Sequence, residues 1–222
     1  MQIREITSLD ELRVVEQMQR EVWRVADVEV LPALHMIAAR EVGALILGAF
    51  DGGTMMGFTY AFPGFEGEHR VLHSDMLAVR EEYRDRGVGR ALKLAQRDAA
   101  VARGIDRITW TFDPLQARNA YLNFVHLGVI ADRYLEDFYG TTTSPLHQLG
   151  TDRLWVTWFL HGRRSNASPE RRIEIPSDIV NASSDWRMNT RAAFQAAFAD
   201  GLVATGFVRG ESVSAYLLTR PL

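Results

Sequence analysis

Cysteine is absent from the 222 residues. That single absence excludes disulfides, thiolate metal sites and a cysteine nucleophile. An excess of one charge is missing too. Lys and Arg number 25 against 28 Asp and Glu, a net charge of -3, so the overall balance gives no reason to expect nucleic acid as a partner. Long apolar runs are lacking. ALILGAF (44–50) falls far short of the about 20 residues that a membrane helix needs. The opening MQIREITSLDELR has no apolar core of the signal-peptide kind. A cytoplasmic protein with no nucleic-acid and no membrane partner is expected. The histidines show no metal-ligand spacing. His69 and His73, in extended chain, would stand roughly 13 Å apart, so no metal is expected either. Internal repeats are also lacking.

What is present suits an ordinary packed core: 47% apolar and 24% charged residues. The length fits one generous domain, or a domain with an appendage. QIREI (2–6) alternates like a short strand. Ser8 and Glu11 then form a capping-box pattern for a helix to about Trp23. A second helix is expected from Pro32 to Gly43. ALILGAF, the turn DGGT and MMGFTYAF (55–62) read as a hairpin, and VLHSDMLAV (71–79) as a further strand. A helix ending before Gly104 follows, with Val88, Leu92, Ala95, Ala99 and Ala102 as its apolar stripe. DRITWTF (106–112) predicts a strand. Asp113, Pro114 and Gln116 predict the start of a helix to Gly128, and strands are expected at 129–139 and 153–160. The polar break HGRRSNASPERR (161–172) divides residues 1–162 from an extension, 163–222. There RIEIP, a helix over 184–200 and a hairpin turning at Gly210 are expected. In that helix Trp186, Met188, Ala192, Phe194, Ala197 and Phe198 are the residues available for packing. The fold class is α/β with a mixed sheet and a C-terminal helix-plus-hairpin extension packed on the same domain.

The most informative stretch is SDMLAVREEYRDRGVGRALKLAQRDAAVARG, beginning at Ser74. A helix start exposes unpaired backbone N–H groups and carries partial positive charge. Gly87 and Gly89 would let the backbone approach an anion, and Arg84, Arg86 and Arg90 surround it with charge. The chemistry is that of a pyrophosphate cradle. A Walker loop is excluded for want of Gly-Lys-Ser/Thr, and a dinucleotide fingerprint because its third glycine position is Leu92.

The remaining spacing, Arg-x-x-Gly-x-Gly after a strand, resembles the coenzyme A loop of the GNAT-type N-acyltransferases. The likeness covers roughly residues 1 to 160, and the text TWTFDPLQARNAYLNFVHLG and TDRLWVTW is similar to members described only as predicted acyltransferases. The resemblance implies central strands that splay apart, between 71–79 and 106–112, to admit an acyl-CoA cosubstrate. It implies that backbone amides of Arg84, Asp85, Arg86, Gly87, Val88, Gly89 and Arg90 hold the pyrophosphate. Leu77, Ala78 and Val79 would pair with pantetheine as an added strand would, and Asn119 and Asn123 are further contacts. The implied reaction is attack of a primary amine on the thioester. The acceptor would be a small molecule or amino acid, and the acyl group acetyl or succinyl.

Strand alternation puts His73, Asp75 and Leu77 on one face. Some relatives place a catalytic glutamate where His73 stands, so His73 is the candidate base, with Asp75 orienting it or binding the amine. The family often carries Asn-x-x-Ala-x-x-x-Tyr with that Tyr as acid. Here Ala120 is in register, but Ala117 and Phe124 replace the Asn and the Tyr. Tyr121 or Asn123 could substitute, and Tyr134 and Tyr139 stay open. Arg118 and Arg153 either bind a carboxylate or form surface salt bridges. A homodimer is compatible with the extension. The missing Tyr keeps a second reading open, a non-catalytic acyl-CoA-binding sensor or regulatory module; an unrelated α/β interaction domain is the third.

Overall fold

The computed structural model describes residues 1–140, 147–161 and 168–221. They form a mixed α/β fold in two compact units, Met1–Ile108 and, from Thr109, the rest of the described chain.

The first unit runs β1 (Gln2–Glu5), α1 (Leu9–Trp23), α2 (Ala33–Glu41), β2 (Leu45–Asp51), β3 (Thr54–Glu66), β4 (His69–Val79) and α3 (Val88–Ala102). Its strands lie in the order β1-β2-β3-β4, each antiparallel to the next. The expected cap of α1 is present: Ser8 Oγ accepts the Glu11 N–H at 3.2 Å. The 3.6-residue period of α1 then presents Leu12, Val15 and Met18 to one core with Ile46, Phe58 and Tyr60. Leu12 and Phe58 are fully buried, each contributing about 1.5–3 kcal/mol of transfer free energy.

Two features differ from the sequence reading. The β3–β4 hairpin is longer than expected, pairing out to Glu66 opposite His69. The buried line of α3 is Val88, Leu92, Lys93, Gln96 and Ala100, whereas Ala95 and Ala99 are half-buried and Ala102 is exposed. A stripe drawn through small apolar residues passed over Lys93 and Gln96. Alanine loses little by facing water, while the long stem of a lysine can be covered by the sheet.

The second unit contains most of β5 (Arg107–Phe112), then α4 (Ala117–Ala120), β6 (Ile130–Leu135), β7 (Arg153–Phe159), β8 (Arg171–Pro176), α5 (Ser184–Ala199), β9 (Val203–Val208) and β10 (Val213–Thr219). Strand order is β5-β7-β6-β9-β10-β8. The C-terminal helix and hairpin are present as expected. Ala204 of β9 pairs with Ala131 of β6, so the hairpin continues the ladder. Asp113 does not cap a helix directly. Its Oδ1 accepts the Leu115 N–H at 2.9 Å, a local turn that delays the helix to Ala117. From Tyr121 to Leu127 the helix widens to π geometry, and the Asn123 carbonyl accepts from Gly128 at 2.9 Å.

In α5 the inward residues are Arg187, Thr190, Phe194 and Ala197, whereas Met188 and Ala192 face solvent. Arg187 is inside because Asp113 is there to meet it, with Nη2 2.8 Å from both carboxylate oxygens. Arg153 also lies inside rather than on the surface. It donates to the Asp152 carbonyl at 2.9 Å and lies 2.7 Å from His147 Nε2.

Candidate active site

The strand-loop-helix unit is built from contiguous chain. β4 ends at Val79, one short turn follows at Glu81–Tyr83, and α3 begins at Val88. Between them Asp85 and Gly87 both take left-handed conformations, φ +61° and +78°. Alternating handedness of this kind turns successive N–H groups inward as an anion-binding nest. Gly87 is also the N-cap of α3, and no side chain caps it. A Cβ placed on Gly87 would meet nothing within 4 Å, so the cradle stands open. Arg86 and Arg90 are exposed around it, while Arg84 turns back to donate to the Val79 carbonyl at 3.3 Å. Leu77 and Val79 lie against Gly89, 3.8 Å from where its Cβ would stand. A cleft of about 700 Å³ opens beside the first half of this loop, between Glu21, Val22 and Arg24 at the end of α1 and Arg80, Glu81, Glu82 and Arg84. Arg80 crosses it to Glu21 at 3.1 Å. The donor set fits a doubly phosphorylated ligand.

The alternation expected along β4 is broken. Tyr60 pairs with Met76 and the next residue, Ala61, pairs with Ser74, leaving Asp75 as the extra residue of a β-bulge. Ser74 therefore faces α3, as do Leu77 and Val79, while Met76 and Ala78 pack toward the core under α1 and α2. His73 pairs across the strand with Phe62, their rings 5.3 Å apart. Burial pushes the Tyr60 phenol up, and the nearby charge of Asp75 adds to the rise. So His73 and Asp75 remain together on the Tyr60 face, but Leu77 does not join them. The sequence held no sign of the bulge, which depends on pairing with β3.

Electrostatics in this region follow burial. His73 is brought down to about 4, chiefly by loss of water and secondarily by the charge of Lys93. The Asp75 carboxyl is pushed up by loss of water around it, although its residue as a whole remains exposed. Lys93 is 3% exposed, and burial brings it from 10.5 down to about 7. The consequence for folding has a definite sign. As pH falls from 10.5 toward 7, the unfolded chain takes up a proton at Lys93 that the folded chain refuses, so stability falls, and below 7 this contribution is constant. Thermal melts from pH 7 to 9 should show Tm rising with pH, driven by up to about 1.4 kcal/mol per unit. Lys93→Met should flatten that rise; an unchanged slope would contradict the assignment.

The remaining candidates lie in the second unit. Asn119 is exposed and Asn123 buried. Tyr121 is half-buried, edge-on to His126 with ring centroids 5.0 Å apart, and 5.3 Å from the Arg209 guanidinium. Phe124, at the position where relatives carry a tyrosine, is 3% exposed and packs edge-on against Phe112 and Tyr216.

The model of the acetyltransferase (GNAT) family matches residues 8–124. No curated protein sequence matches the chain. Among solved structures, aminoglycoside 6'-acetyltransferase type Ii is 18% identical with a TM-score of 0.59, over 73% of this chain and 99% of that one. The ribosomal-protein-S18-alanine N-acetyltransferase of Escherichia coli is 17% identical with a TM-score of 0.55, over 75% and 97%. The Salmonella typhimurium protein yncA, solved with acetyl-CoA, is 15% identical with a TM-score of 0.58, over 75% and 98%. At such identities the likeness is one of fold. The family model spans more than half of the chain and ends on the helix that carries Tyr121. This chain therefore belongs to the acetyltransferase (GNAT) family.

Proposed function

We propose that the protein transfers an acetyl or succinyl group from coenzyme A to a primary amine of a small molecule or amino acid. The observation that carries this reading is the open, uncapped nest at Asp85–Gly87 at the end of β4. The cosubstrate supplies an activated acyl group as a thioester. Main-chain donors from Arg84 to Arg90 hold its pyrophosphate, and the main chain of Leu77, Ala78 and Val79 aligns its pantetheine arm. Asn119 and Asn123 are assigned as further contacts. Holding two reactants together can lower the barrier by roughly 7–11 kcal/mol.

Asp75, solvent-reached on the Tyr60 face, attracts the substrate ammonium. His73 stays neutral around pH 7 because its basicity is depressed. It is too weak a base to strip a free ammonium, so the ammonium gives that proton to water and the nitrogen attacks as the neutral amine, the form of about a tenth of a free α-amine at pH 7. It can accept the proton that nitrogen sheds once bonded to the carbonyl carbon, when that proton has become acidic. The carbon–sulfur bond then breaks and the sulfur takes a proton, for which Tyr121 is the assigned donor. Residues 1–162 form the acyl-CoA-binding domain in this reading, and 163–222 an extension packed on it. The ion pair of Arg187 with Asp113 supports the packing of the extension on residues of the preceding segment.

Thiol release from acetyl-CoA and succinyl-CoA over a panel of amines and amino acids tests the proposal. His73→Ala should lower turnover by about a hundredfold, the lower range of proton-transfer assistance, with coenzyme A affinity spared. Equal turnover would move the base elsewhere. The buried Phe124 favours one other reading, a sensor that binds acyl-CoA without transfer. Tight binding with no thiol release across the panel would select it.

A further inference from the structure

Asp75 stands out of the β4 ladder, and a single chain of buried side chains holds the residues on both sides of it. Lys93 Nζ donates to Ser74 Oγ at 2.6 Å and to Gln96 Oε1 at 3.4 Å. Gln96 Nε2 donates to Thr59 Oγ1 at 2.9 Å. Thr59 Oγ1 donates to the Met76 carbonyl at 2.9 Å. Each of these four side chains is at most 5% exposed. Lys93 and Gln96 are three apart on α3 and so share the face that meets the sheet. Apolar chains of similar volume would fill this space without the cost of desolvating an amine. Volume is therefore no reason for the network, but its geometry offers one: its two ends are residues 74 and 76.

We propose that Lys93 is a positioning residue, which with Gln96 and Thr59 clamps Ser74 and Met76 and so fixes the bulge that projects Asp75 onto the face of His73 and Tyr60. The assignment of Asp75 to the acceptor side rests on the acyl-transfer reading above. A one-residue slip that erased the bulge would turn Asp75 toward α3, where Ser74 now meets Lys93. The clamp opposes that slip. Ser74 has no such partner if Lys93 loses its amine, and the Met76 carbonyl loses its anchor if Thr59 is freed. Burial lowers the basicity of Lys93, which reduces the charge the core must hold while leaving N–H groups to donate. His73 on β4 feels that charge; Asp75 on β4 and Tyr60 on β3 are the next ionisable groups of the region.

The test compares the full chain with its Lys93→Met and Ser74→Ala variants. Amide hydrogen exchange is read along β4, coenzyme A binding by calorimetry, and thiol release with the amine most active in the panel. Both variants should speed exchange at residues 75–77 at least about tenfold relative to β1 and β2. Coenzyme A affinity should stay within about threefold, while kcat falls about 10- to 100-fold, as expected for a misplacement near 1 Å. Exchange at 75–77 unchanged in Ser74→Ala, or raised equally throughout the first unit with KM and kcat moving together, would overturn the clamp. Ser74→Ala keeps the test decisive if Lys93→Met does not fold. If the wild type neither binds coenzyme A nor releases thiol, the acyl-transfer reading fails, and exchange at 75–77 still decides whether the clamp exists.

Discussion

Replacing Gly87 by glutamate is expected to weaken coenzyme A binding at least about a hundredfold, since like charges forced together cost several kcal/mol. The position is sensitive for two reasons. Its φ of +78° lies where a side chain costs about 1–2 kcal/mol, and it is the point at which α3 presents its first free N–H groups. A carboxylate there would occupy the place proposed for a pyrophosphate and compete for the same donors. No clash with neighbouring atoms adds to that backbone strain, because a Cβ at Gly87 meets nothing within 4 Å. Gly87→Asn separates conformation from charge, since asparagine tolerates the left-handed region. Its affinity should fall no more than about tenfold, in line with a change of about 1.4 kcal/mol or less. Calorimetry with coenzyme A on both variants, with circular dichroism as the folding control, decides the matter. Full affinity in the glutamate variant would remove the loop from the binding site.

The second large effect is on stability. Arg187→Ala is expected to destabilise the protein by about 3–5 kcal/mol, the range for stranding one partner of a buried ion pair. The side chains of Arg187 and Asp113 are only 4% and 14% exposed. Arg187 Nη2 meets both carboxylate oxygens at 2.8 Å, and its Nε reaches the Leu149 carbonyl at 2.9 Å. Removing the guanidinium leaves a largely buried carboxylate that keeps the Leu115 N–H at 2.9 Å but has lost its countercharge. The double variant Asp113→Leu with Arg187→Met should recover much of the loss, because it removes both charges and keeps volume. Urea denaturation with an unchanged m-value measures both. A double variant as unstable as the single one would show that the pair does more than cancel its own charges.

How much of the site was legible depends on how local its causes are. The loop at residues 84–90 was legible because glycine at a left-handed position and an N-terminal helix turn are properties of adjacent residues. The cap at Ser8 was legible for the same reason. The bulge was not. HSDML reads as simple alternation, and only the β3 partner shows that Asp75 is the extra residue. Lys93 and Gln96 were passed over because a polar residue on a helix is solvated in the usual case. Their burial follows from Ser74 and Thr59 lying opposite. Likewise the π-helical turns from Tyr121 alter which side chains align, a change that the spacing in ARNAYLNFVHLG does not announce.

The order of elements, the strand-loop-helix cradle and the family follow from the sequence by itself, since hydrophobic period, capping and glycine placement act over a few neighbouring residues. Which face Asp75 takes, and that a lysine lies in the core to hold it there, only the tertiary structure decided. Those outcomes come from contacts between residues 19 or more positions apart, Ser74 with Lys93 and Thr59 with Gln96, and a hydrogen bond across such a distance leaves no periodic trace in the chain.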